Sequence, residues 1–387
     1  MKKMSMRRRI RIGLVGGGQG SFIGTAHRAA ARLDDGYDLV AGALSSDPQR
    51  ALASGLELRL APERCYADYA DMARREAQRD DGIDAVVIVT PNHLHFPVAQ
   101  AFLEQGIHVI CDKPMTTRLD HADVLQELAQ RRGLLFMVTH TYSGYPLVRH
   151  ARELVRSGDL GDIRVVQVEY AQDWLAEPLE LTGQKQAEWR ADPKRAGPAG
   201  ALGDIGTHAF HLAGFVTGLT VEQLSAELST FVPGRALDDH VQVMLRYQGG
   251  ARGLLWASQV ATGCANRLQL RVFGSRAAIH FDQESPDQLL VTRLGEATQI
   301  VRRGATPAGG DAALATRLPA GHPEGYFEAF SQLYRDFALA WHARAEGQTF
   351  DAEHHPMPTV QDGRQGMAFI DAVLRSHQGG SSWVTLS

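Results

Sequence analysis

Cysteine is scarce in this chain: 3 among 387 residues, at Cys65, Cys111 and Cys264, far apart and with no C-x-x-C pair. An odd, scattered set offers no disulfide framework, so free thiols and a reducing compartment are expected, with the cytoplasm as the default. A surplus of one charge is also missing. Lys and Arg number 40 against 44 Asp and Glu, a formal net charge of −4, which favours neither nucleic acid nor a membrane as partner. No apolar run is long enough to cross a bilayer. The basic start (Lys2, Lys3, Arg7, Arg8, Arg9, Arg11) is followed by no apolar stretch or small-residue cleavage site and reads as a solvated end rather than a leader. Gly-x-Ser-x-Gly is absent, which leaves a serine hydrolase without support, and there are no internal repeats. The histidine pairs His93/His95, His208/His211 and His354/His355 lack a cysteine or carboxylate that would complete a ligand set, so no metal is expected.

What is present is an ordinary globular composition, 44% hydrophobic and 22% charged, on a chain long enough for two domains. The apolar, β-branched run Ile10 to Val15 suits a strand buried on both faces. It runs into Gly16-Gly17-Gly18-Gln19-Gly20-Ser21-Phe22-Ile23-Gly24 and then a helical segment to about Leu33. Strand, glycine turn and helix form the phosphate-binding opening of a dinucleotide fold. The spacing departs from G-x-G-x-x-G: Ser21 occupies the third position, and Gly24 is taken as the third glycine after a lengthened turn. A second strand, Tyr37 to Leu44, ends at Ser45-Ser46-Asp47-Pro48-Gln49-Arg50. An acid about 20 residues past the glycines ordinarily binds the ribose hydroxyls. Ser45 stands there instead, and Ser45, Ser46 and Arg50 could take a 2′-phosphate, which leaves NAD and NADP both open.

Strands at 83–90, 107–111 and 134–139 alternate with helices at about 68–79, 97–105 and 119–132, the pattern of a doubly wound parallel sheet. Ligands lie beyond the carboxyl ends of such strands, where the glycine turn, Thr90-Pro91-Asn92-His93-Leu94-His95, Asp112-Lys113-Pro114 and Thr139 to Tyr145 fall. The pattern then changes. Period-two segments at 163–170, 241–247, 251–260, 267–273 and 277–281 predict a largely antiparallel sheet, with Trp189-Arg190-Ala191-Asp192-Pro193 as a loop, Gly295 to Pro319 as a loop, and helices at about 323–345 and 359–376. The expected division is therefore 1–140, a dinucleotide-binding α/β domain, and 141–387, a second α/β domain.

Lys113 ends an apolar strand, where its charge must be solvated or paired, so it is a candidate for chemistry as well as a strand-end lysine reaching for water. Asp204 and His208 lie four apart on one helical turn, placing a carboxylate beside an imidazole in the manner of a tuned general base. Asp204 is equally a candidate helix N-cap, and His208 a candidate packing residue.

Together these landmarks resemble the Gfo/Idh/MocA family of NAD(P)-dependent oxidoreductases: Ile23-Gly24-x-x-His27, Thr90-Pro91-Asn92-x-x-His95, Asp112-Lys113-Pro114, Trp189-Arg190, Gly203-Asp204-Ile205-Gly206-x-His208 and Phe273-Gly274-Ser275. Asp112 stands where the family usually has Glu. The resemblance implies a Rossmann domain followed by an α/β domain whose open antiparallel sheet joins subunits into a homodimer or homotetramer. It implies NAD(H) or NADP(H) held by Gly16, Gly18, Gln19, Gly20, Ser21, Phe22, Ile23, Ser45, Ser46, Arg50, Thr90, Pro91, Asn92, His95, Asp112 and Lys113. It also implies oxidation of a secondary alcohol on a sugar, sugar derivative or cyclitol by Lys113, Asp204 and His208, with Tyr142, Trp189, Arg190 and His95 as further substrate contacts. The alternatives are a reductase of keto-sugars, dihydrodiols or imines, and a non-catalytic dinucleotide-binding regulator on the same scaffold.

Overall fold

The computed structural model describes residues 7–305 and 310–386; Lys2 and Lys3 of the basic start lie outside them. The chain forms two compact units, one made of the residues up to Thr141 with Tyr326–Arg364, the other of Tyr142–Gly325 with the residues from Gln365.

In the first unit, β1 (Ile10–Gly16), α1 (Phe22–Leu33), β2 (Tyr37–Ala43), α2 (Pro48–Glu57), α3 (Tyr69–Ala77), β3 (Ala85–Val89), α4 (His95–Glu104), β4 (His108–Cys111), α5 (Leu119–Arg132) and β5 (Phe136–Val138) follow in order. The five strands pair in parallel as β2-β1-β3-β4-β5. The order reverses beside β1, and this places the ends of β1 and β3 at the switch point. All five residues of β3 (AVVIV) are buried, as a strand covered on both faces requires.

The expected boundary at 140 separates a helix from the unit it serves. The helix Tyr326–Ala345 packs against α1, with Phe330, Leu333, Tyr334, Phe337 and Ala338 in one buried core with Ile10, Leu14 and Tyr37. The Tyr37 hydroxyl donates to the Tyr334 carbonyl at 2.6 Å. Those five side chains form an i, i+3, i+4, i+7, i+8 stripe, and each large one buried contributes about 1.5–3 kcal/mol. Periodicity reveals such a stripe but not which sheet covers it.

The second unit holds a nine-stranded sheet of β6 (Ile163–Ala171), β7 (Val221–Ser229), β8 (His240–Tyr247), β9 (Arg252–Ser258), β10 (Arg267–Gly274), β11 (Ala277–Asp282), β12 (Gln288–Arg293), β13 (Gln299–Arg302) and β14 (Val384–Thr385). Their order is β13-β12-β11-β10-β6-β9-β8-β7-β14. Every pair is antiparallel except β6 with β9. The helices are α6 (Pro146–Arg156), α7 (Lys185–Arg190), α8 (Pro193–Ala196), α9 (Thr207–Thr217), α10 (Asp311–Ala315) and, from Gln365 on, the helix Val360–Gln378; α9 packs on β6, β9 and β10. The opposite face is open: the directly paired Met244 and Leu254 are 48% and 50% exposed.

Two expected loops carry structure. Trp189 and Arg190 sit in α7, whose N-cap Gln184 accepts from the Ala187 N–H at 2.6 Å, and Asp192 caps α8. Within 295–319 lie β13 and α10. These elements span four to six residues, too few to show an apolar period. Among the described residues, no helix is long and apolar enough to cross a membrane.

Candidate functional site

The glycine turn closes by backbone contact. Gly16, Gly17 and Gly20 adopt φ of +80°, +70° and +78°, a region side chains disfavour. A Cβ on Gly18 would lie 2.7 Å from the Leu44 carbonyl, and one on Gly24 2.6 Å from the Gly17 Cα. Gly24 is thus the glycine that lets α1 sit against the turn, as the sequence reading assigned it. The Ser21 hydroxyl accepts from the Gly24 N–H at 3.1 Å and caps α1, whose first turn carries no acid. Arg28 donates to the Gly17 carbonyl at 2.9 Å and locks the turn from behind, a role no spacing motif announced. Gln19 and Gly20 are exposed, Phe22 is 66% exposed and Ile23 half-buried. A Cβ-free cradle ahead of a capped, acid-free helix N-terminus fits a pyrophosphate. At the end of β2, Ser45 is half-buried and accepts from the Asp47 N–H, Asp47 caps α2, and Ser46 and Arg50 are exposed.

Past β3, Thr90 and Pro91 are half-buried and Asn92 is buried. His95 is 1% exposed, with Nδ1 2.7 Å from the Pro114 carbonyl and Nε2 2.9 Å from the Thr90 carbonyl. Burial pushes its pKa below the usual histidine value while the Asp112 charge pulls it up. With a carbonyl within hydrogen-bond distance of each nitrogen, the ring ties the loop after β3 to the loop after β4. That engagement with backbone at both nitrogens makes His95 a positioning group for the two loops. Asp112 accepts from the Lys113 N–H at 2.9 Å and the Thr139 hydroxyl at 3.1 Å, which fixes the backbone that carries the half-buried Lys113.

In the second unit, a π-helical turn over Leu202–Gly206 runs directly into α9. Asp204 lies inside that turn and is not an N-cap. Its Oδ2 accepts from Arg190 Nε at 3.2 Å and Gln259 Nε2 at 2.8 Å. Arg190 in turn stacks on Trp189, its guanidinium 4.3 Å from the ring centre. The helix that Asp204 would have capped already begins upstream of it, so its carboxylate reaches across instead. His208 lies in the first turn of α9, buried edge-to-face against Tyr142 at 4.9 Å and Tyr170 at 6.2 Å. Tyr142 and Tyr170 share a short hydroxyl contact, and Tyr170 donates onward to Asn266 at 2.8 Å. Burial raises the pKa of Tyr142 and keeps its phenol protonated. The unit thus gathers Tyr142 and His208 with Tyr170 and Asn266, and Trp189, Arg190 and Asp204 with Gln259; Trp174, under the Arg190 guanidinium at 5.8 Å and donating to Gln172, and Gln172, donating to Asn266, join the two sets. Gln259, Tyr170 and Asn266 are members the sequence reading did not include. Among the described residues, no group of three His, Cys, Asp or Glu could hold a metal ion.

The description "Oxidoreductase family, NAD-binding Rossmann fold" matches residues 10–140, and "GFO/IDH/MocA C-terminal domain" matches 148–280. The uncharacterized oxidoreductase YfiI of Bacillus subtilis is 34% identical over 378 residues, 97% of this chain and 96% of its own. Levoglucosan dehydrogenase of Pseudarthrobacter phenanthrenivorans is 30% identical over 323 residues, 76% of this chain and 78% of its own. The crystal structure of an inositol dehydrogenase homolog from Azotobacter vinelandii, complexed with NADH and myo-inositol, is 37% identical with a TM-score of 0.90 over 98% of both chains. A glycine cradle on a parallel sheet, an acid-and-imidazole turn beside an antiparallel one, and relatives matched along nearly their whole length all lead to one assignment: the chain belongs to the GFO/IDH/MocA family of NAD-binding oxidoreductases.

Proposed function

We propose that this enzyme oxidises a secondary alcohol of a sugar, sugar derivative or cyclitol, with NAD(H) or NADP(H) held at the glycine turn. The observation that carries it is the Asp204 carboxylate, held by Arg190 and Gln259 one turn ahead of His208. The levoglucosan and myo-inositol of the relatives, both polyhydroxylated rings, support the substrate class. The cofactor, when bound, supplies the hydride acceptor. His208 takes the hydroxyl proton, and Asp204 fixes the charge balance of that turn as the imidazole becomes cationic. Lys113 is assigned the role of a donor that stabilises developing negative charge on oxygen. Tyr142, Trp189 and Arg190 hold the remaining ring hydroxyls. We place the enzyme in the cytoplasm, where the free thiols of Cys65, Cys111 and Cys264 persist, and assign the open sheet face to contact between copies of the chain.

A panel of cyclitols and sugars, followed by nicotinamide absorbance, tests this. Lys113→Ala should lower kcat by roughly 10²–10³-fold on the substrate the wild type accepts, the cost of removing one such donor. Near-normal turnover by that variant would end the role given to Lys113. Cofactor binding without turnover of any member of the panel would favour a regulator.

A further inference from the structure

We infer that Asp238, 34 residues beyond Asp204 in the chain, is the positioning residue that sets the turn carrying Asp204 and His208. Three consecutive backbone N–H groups at the start of that turn converge on this one residue. Gly200 donates to Asp238 Oδ1 at 2.6 Å, Ala201 to the Asp238 carbonyl at 2.9 Å, and Leu202 to Oδ2 at 2.8 Å. The Gly200 carbonyl then accepts from the Asp204 N–H at 2.9 Å, so the clamp passes into the helical ladder without a break. The fit is tight: a Cβ on Gly200 would lie 2.1 Å from the Asp238 carbonyl oxygen.

The clamp is anchored on its other side by the next residue. Asp239 accepts from the Phe231 and Val232 N–H groups at 2.9 and 3.0 Å and from Arg235 at 3.3 Å, and Arg235 forks onto Glu180 at 2.9 and 3.0 Å. Adjacent carboxylates thus point opposite ways, one holding its own loop and the other the catalytic turn. Asp239 has a guanidinium partner, whereas the Asp238 carboxylate accepts from backbone N–H groups. Asp238 is 8% exposed. Burial, with the Asp239 charge adding to it, pushes its carboxyl up to about 6, against the pull of those N–H groups. A carboxylate kept at a site that penalises its charge is best accounted for by the donors it alone satisfies in pairs.

This rests on the proposed role of His208 and Asp204, and the test separates the two. In Asp238→Asn the amide keeps the volume but turns one N–H group toward a backbone donor, so one bond is lost whichever way it faces. Expected are a fall in kcat of roughly 10–100-fold, as for a small misplacement of catalytic groups, an unchanged KM and cofactor Kd, and a displaced His208 imidazole resonance, assigned with His208→Gln. A folded variant with wild-type kcat and an unmoved resonance overturns the inference, as does an equal loss of cofactor binding. Gly200→Ala presses on the same contact from the turn side and must reproduce the split if Asp238→Asn does not fold; wild-type kcat there also overturns it. If the wild type turns over no polyol, the proposed function fails, while the His208 resonance still decides for or against Asp238.

Discussion

Acid should loosen the first unit through a histidine that takes no direct part in chemistry. His27 lies in α1, 1% exposed, its Nδ1 2.7 Å from the Tyr334 hydroxyl and its ring edge-on to Phe330. Burial lowers its pKa from 6.5 to about 4, with the Asp112 charge opposing. The unfolded chain takes up this proton near the ordinary value, whereas the folded chain resists it until the pH is much lower. The stability contributed by the neutral ring is therefore whole above about pH 6.5 and drains away as pH falls toward 4. From a folded value near 4 and an unfolded value near 6.5, the loss on going from pH 7 to about pH 4.5 is roughly 2.5 kcal/mol from this ring alone. His108, also lowered to about 4, first by burial and then by Arg344, acts in the same direction, so the wild type by itself does not isolate the effect. His27→Gln does, because an amide can still meet Tyr334, cannot titrate, and leaves His108 in place. Urea unfolding of both proteins near pH 7 and about pH 4.5 should show the gap between them shrinking by that roughly 2.5 kcal/mol. A gap that is the same at both pH values would refute a neutral, buried His27.

Two further outcomes follow from backbone and surface. Gly24→Ala sets a methyl 2.6 Å from the Gly17 Cα and 2.7 Å from its carbonyl oxygen, so α1 must move. We expect a loss of about 1–3 kcal/mol, as in other overpacked sites, and weaker dinucleotide binding by titration calorimetry; unchanged affinity would contradict the role of the turn. Leu254→Arg places a charge in the middle of the open sheet face beside Met244 and should reduce the mass seen by light scattering to that of one chain. A wild type that is already a monomer would refute self-association through this face.

What could be read from the sequence follows from where each residue's partner lies. The turn from Gly16 to Gly24 was legible because strand, turn and helix are consecutive, although its glycines also press on distant residues, on Leu44 after β2 and on Val89 and Thr90 at the end of β3. Thr90, Lys113 and Tyr142 were picked out by a topological rule, that loops after parallel strands share an edge, which needs no knowledge of any particular contact. The helix Tyr326–Ala345 was legible as a helix but not as part of the first unit. Its stripe fits any apolar surface, and nearly 300 residues separate Tyr37 from Tyr334. The tie of Asp204 to Arg190 and Gln259 has charge and polarity that a reader could in principle match, yet the N-cap reading competed with it because both begin from an aspartate near a helix start. Asp238 lies at the far end of this scale. Its partners are backbone N–H groups, which every residue but proline carries, so no residue type elsewhere in the chain marks them. A carboxylate that serves a turn this way becomes recognisable only once the fold has brought the turn to it. The residue that orders such a turn can therefore leave less trace in the sequence than the residues it orders.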